Sequence, residues 1–204
     1  MNLLPTRAAA GRPLALLVCA MAAIAIGFIL VPPATAERLI MAGGYYYILA
    51  VFAAGLFYAG RIALARRAVW QAWIRRPGWT GWAILAATLF AVWADDFKHK
   101  VLFDEYVLQG TAWHMHATKE IGTPIRAYDF SGTWLAIDTF LDKRPYFFTF
   151  LISLLHDLTG FRIANVHVLN VALAGICLAL THWMARALTG RRAAAILAIA
   201  LLAT

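Results

Sequence analysis

"PLALLVCAMAAIAIGFILVPP", residues Pro13 to Pro33, contains no charged side chain, and that decides the class of fold. A helix needs about 20 mainly apolar residues to cross roughly 30 Å of hydrocarbon, and this run is long enough. The same bias runs through all 204 residues: 63% are hydrophobic and 14% charged, too apolar for an ordinary soluble domain. The composition predicts an all-α, polytopic integral membrane protein. The first apolar core exceeds the roughly 7 to 15 residues of a secretory signal. The small-x-small pattern at Ala34 and Ala36 is therefore read as following an uncleaved anchor.

Working outward, Tyr45 to Leu64 reads as a second span, opening on three tyrosines suited to headgroup depth. It ends in a segment carrying Arg61, Arg66, Arg67, Arg75 and Arg76 without one acid, which the positive-inside rule places in the cytoplasm. A third span over 79–94 then runs outward and delivers the following residues to the extracytoplasmic side. Residues 1–76 thus form a two-span N-terminal part with an Arg-rich cytoplasmic loop, and 77–204 a second membrane part. The net charge of +8 comes largely from arginines flanking spans, where they report orientation and contact with anionic headgroups, so no nucleic-acid partner is expected. Cys19 and Cys177 both sit in apolar runs and are read as small hydrophobes, not as a disulfide or metal pair.

The polar segment 95–144 holds eight of the ten acids: Asp95, Asp96, Asp104, Glu105, Glu120, Asp129, Asp138 and Asp142. Asp95 and Asp96 have Lys98 and Lys100 as neighbours and read as a compensated juxtamembrane cluster. Further on, Leu108, Thr111, Ala112 and Met115 are spaced to form one helical face, so this part is expected to be a helix lying on the bilayer, with Tyr106 and Trp113 at interfacial depth. The apolar run 146–158 is short, a crossing or a re-entrant helix. A clear span follows at 164–185. Arg186, Arg191 and Arg192 come next; they fall outside if 146–158 crosses inward, and in the cytoplasm if it does not. The run 193–204 is too short to cross, and the sequence is expected to be the N-terminal part of a longer protein.

Two places carry candidate chemistry. Asp104 and Glu105 stand at the start of the predicted loop helix, where acids are favoured by the helix dipole, by about 0.3 to 1 kcal/mol. The neighbours point about 100° apart, so they are not a bidentate pair. In "LDKRPYFF", Asp142, Lys143 and Arg144 precede an apolar segment, and two cations at that depth suit phosphate as well as they suit anchoring to lipid headgroups. His114 and His116 diverge by about 200° on a helix and make a poor metal pair. His156, His167 and His182 read as packing partners, and Asn165 and Asn170 as helix bridges.

The order of these features, an outward span, "FDEYVLQGTAWHMH", a loop with "YDFSG", then "DKRPYFFTFLISLLHDLTGFRIANVHVLN", resembles the GT-C superfamily of membrane glycosyltransferases, of the protein O-mannosyltransferase and lipid A aminoarabinose transferase type. The likeness covers roughly Trp79 to Thr204. It implies a GT-C-like helical bundle with a helical extracytoplasmic first loop, in the cell inner membrane. It also implies a polyprenyl-phosphate sugar as donor and a hydroxyl on a lipid, glycan or protein as acceptor. By the same resemblance Asp104 matches the catalytic aspartate, with Glu105 its companion, and Asp142 and Lys143 match the acid and lysine of the second motif. Arg144 departs from it, standing where the family commonly has the first of two prolines. Glu105 and Asp142 are candidates to position the acceptor or to support a divalent cation. Two other classes stand against this reading: a transporter or channel subunit, which needs ionisable residues inside its spans, and a non-catalytic membrane scaffold.

Overall fold

A computed structural model describes residues 7–68, 71, 78–93 and 103–203. Arg75, Arg76, Ala94, Asp95, Asp96, Lys98 and Lys100 lie outside the described residues.

Helix α1 covers Arg7–Ala25 and runs on into a π-helical turn, Ile26–Leu30. Pro32 and Pro33 have no N–H to continue the ladder, so the chain breaks there and restarts with Pro33 in the first turn of α2, Pro33–Ala65. Helix α2 is longer than the expected span of 45–64, because the residues from Pro33 to Gly44 join it. At about 1.5 Å per residue its 33 residues reach about 50 Å, well beyond the hydrocarbon thickness. Among the described residues, Pro13–Leu30, Pro33–Ala65 and Ala164–Thr189 are long and apolar enough to cross a membrane. The third expected span is represented by α3, Trp79–Trp93, whose 15 residues reach about 22 Å.

The polar segment is not wholly helical, which corrects the all-α expectation. Helix α4, Phe103–Thr118, is followed by an antiparallel hairpin of β1, Thr123–Phe130, and β2, Thr133–Phe140. Both strands open on Thr, carry one Ile and end on Phe, with Tyr128 in β1 and Trp134 in β2. They turn at Ser131–Gly132, where both residues have positive φ and the Gly132 N–H donates to Asp129 Oδ1 at 2.9 Å. Arg126 and Asp138 form an ion pair across the strands. Helix α5, Tyr146–Thr159, then begins beside the start of α4 and ends beside its end. The two helices are parallel, and the hairpin is the return path between them.

Helix α4 packs along α5 and the hairpin as one layer of a folded unit. The face anticipated for it is the buried one: Thr111, Ala112 and Met115 are inaccessible. Met115 joins Ile121, Phe150 and Tyr45 of α2 in a common core, with Phe52 of α2 edge-on to Phe147 and Phe150. Close approach of α2 depends on Gly44, since a Cβ there would lie 2.4 Å from Ile121 Cδ1. Next to it, the Ile121 N–H donates to the Met41 carbonyl at 2.9 Å.

Helix α6, Ala164–Thr189, starts four residues beyond Gly160, whose N–H closes α5 on the His156 carbonyl. It turns at Gly190 into α7, Arg192–Ala203, and both pack against α3. Asn165 near its start bonds His156 Nδ1 at 2.8 Å, which ties the two buried side chains together at the α5–α6 corner.

Candidate functional site

The first turns of α4 and α5 lie side by side, and Arg144 joins them. Its Nη1 donates to Asp142 Oδ2 at 2.9 Å and its Nη2 to Asp104 Oδ1 at 2.6 Å. Pro145 caps α5, which holds the DKR sequence just outside the helix and aims the guanidinium at the neighbouring N-terminus. The three side chains differ in exposure: Asp142 is 10% accessible, Arg144 37% and Asp104 71%. Asp142 is further fixed by its backbone N–H, which donates to the Tyr146 hydroxyl at 2.5 Å. Burial raises the Tyr146 pKa, which keeps that hydroxyl protonated. Val107, Thr111, Thr123 and Tyr146 line a small crevice under the guanidinium, with the Thr111 and Thr123 hydroxyls 2.9 Å apart. Two helix N-termini and an arginine therefore converge on one point, where the guanidinium's donors are taken up by two carboxylates.

Asp104, Asp142 and Arg144 are thus brought together. Lys143 is exposed and makes no ion pair with a described residue. Glu105, the next residue on α4, is partly buried. For a divalent cation the residues do not fit: Asp104 and Asp142 both face Arg144, and among the described residues no three His, Cys, Asp or Glu side chains converge.

Neither a family model nor any curated protein or solved structure matches this chain. The site is therefore described by its own chemistry.

A second polar cluster lies at the other end of the α4–α5 pair, and sequence reading missed it. Asp157 accepts from Lys119 Nζ at 2.6 Å, meets His116 Nδ1 at 2.5 Å, and accepts from the Tyr45 hydroxyl at 3.4 Å. Burial opposes the charge of Asp157, but the Lys119 and His116 contacts outweigh it and hold its pKa below the ordinary value. The signal available was the spacing of His116, in the last turn of one helix, and Lys119, just past its end, with an acid in the last turn of the next. His114 points elsewhere: it is buried, and the Trp134 indole N–H donates to its Nδ1 at 3.2 Å. The two rings of "HMH" do diverge as their spacing implies. Burial lowers the His114 pKa, with Glu120 opposing.

Proposed function

We propose that the chain is part of a membrane glycosyltransferase that moves a sugar from a polyprenyl-phosphate donor to an acceptor hydroxyl on the extracytoplasmic side. The observation that carries this reading is the meeting of Asp104 and Arg144, forty residues apart in sequence, at 2.6 Å. In the proposed reaction the acceptor oxygen attacks the anomeric carbon and its proton passes to the Asp104 carboxylate. The bond from that carbon to the phosphate oxygen breaks, and the polyprenyl phosphate leaves with the electron pair. Arg144, held by buried Asp142, stabilises the charge gained by the leaving phosphate. Arg144 takes the role that the sequence motif would give first to Lys143.

Orientation bears on the same reading and departs from the resemblance in one respect, since the resemblance implies a true crossing after the second motif. Tyr45 meets Asp157 and Phe150, while Phe52 meets Phe150 and Phe147, so α5 runs antiparallel to α2. With Arg61, Arg66 and Arg67 at the C-terminal end of α2 in the cytoplasm, α5 points its C-terminus outward and α6 starts outside. Arg186, Arg191 and Arg192 then return to the cytoplasmic side, and 146–158 is a re-entrant helix that does not cross. The Asp104–Arg144 end of the α4–α5 pair faces into the bilayer, the direction from which a lipid-linked donor arrives.

The test is sugar transfer by the full-length protein in its membrane, measured for wild type and Asp104→Asn. Loss of transfer at unchanged abundance is expected; wild-type turnover by the variant removes the assignment.

A further inference from the structure

We infer that the Asp104–Arg144 pair is a latch: Asp104 fills the anion seat of Arg144 at rest, and a lipid-borne phosphate that takes this seat frees the carboxylate to act. The inference rests on the glycosyltransferase reading and adds an order of events to it.

Three observations carry it. The guanidinium has two carboxylates and is a single charge, so the cluster is net negative and repels a phosphate until one acid moves. The two acids are not equivalent. Asp142 is 10% accessible, is two residues from Arg144, and has its backbone pinned to Tyr146; Asp104 is 71% accessible and comes from another helix. An ion pair that exposed is weakly held, whereas removing a buried partner leaves an uncompensated charge, so Asp104 is the acid that yields. Finally, Asp104 Oδ1 is engaged by Nη2 at 2.6 Å, so at rest this oxygen is turned to the guanidinium and is not free to meet an acceptor hydroxyl. Donor binding therefore precedes release of the base, and the base is held back until a leaving group is in place.

The experiment measures binding of farnesyl phosphate and of inorganic phosphate to the purified full-length protein, for wild type, Asp104→Asn, Asp104→Ala and Arg144→Ala. Removing the competing carboxylate is expected to tighten binding about fivefold, the scale of an exposed ion pair, in both Asp104 variants. Arg144→Ala is expected to abolish binding. A gain for farnesyl phosphate alone assigns the seat to a lipid-borne phosphate; a gain for both ligands assigns it to the phosphoryl group, and either supports the latch. Arg144-dependent binding that is unchanged in both Asp104 variants overturns the latch and leaves the phosphate site standing. Binding that is absent, or indifferent to Arg144, overturns the site itself. Co-elution of each variant with wild type on size exclusion separates these outcomes from misfolding.

Discussion

Arg144 spans two helix N-termini, holding Asp142 with one terminal nitrogen and Asp104 with the other, at 2.9 and 2.6 Å. Only a planar fork can serve both acids at once. Arg144→Lys keeps the charge but offers the leaving phosphate a point charge in place of a planar fork, and is expected to lower sugar-transfer kcat/KM by at least about tenfold. Lys143→Ala, at an exposed position, is expected to change it by less than about threefold. Steady-state transfer assays on the two variants check the ranking, which equal losses would reverse.

Gly44 sets the distance between α2 and the loop unit. A Gly44→Val side chain meets Ile121, and overpacking of this kind is expected to destabilise by about 1–3 kcal/mol. Ile121→Ala added to Gly44→Val is expected to recover part of the loss. Thermal unfolding of the single and double variants measures it, and additive losses would show that the two positions do not touch.

Asp157 receives contacts from α2 and from the last turn of α4. Asp157→Ala removes them and leaves His116 and Lys119 facing each other. A loss of about 1 kcal/mol is expected, reduced by added salt because the groups are partly exposed. A melting temperature unchanged at low salt would refute this.

Stability is expected to fall with acid. The His114 pKa is lowered in the fold from 6.5, so its contribution is complete above that value and is lost as pH falls below it. Asp157 is depressed from 3.8, so its contribution is present above that value and is lost further down. Melting curves from pH 8 downward, the starting value being about that of a mild buffer, are expected to decline first below the ordinary histidine pKa. His114→Gln is expected to reduce that first step, which the buried His156 shares, and to leave the lower one.

Sequence reading found the apolar helices and the acid-rich loop because both are statements about composition and period. It also named Asp104, Asp142 and Arg144, but put Lys143 ahead of Arg144: which of two adjacent cations turns toward a helix forty residues away depends on the Pro145 cap and on packing. The hairpin escaped because its strands sit in a segment read for charge. Ser131–Gly132 between two runs of Thr, Tyr, Trp and Ile was the overlooked turn signal. The start of α2 at Pro33 was missed because the three tyrosines read as the opening of the span; Gly44, just before them, lies inside one continuous helix and admits Ile121. The direction of 146–158 was undecidable from hydropathy, since it depends on which end of α5 meets Tyr45.

Because the hairpin carries the chain back between two helices of the same direction, neither helix can settle as it leaves the ribosome. The contacts of α4 with Asp157 and Arg144 wait for α5 to emerge, and until then the Met115 face has no lid. The unit of α4, hairpin and α5 is consequently complete only when all three are in place against α2, on whose Tyr45 and Met41 Phe150 and Ile121 come to rest.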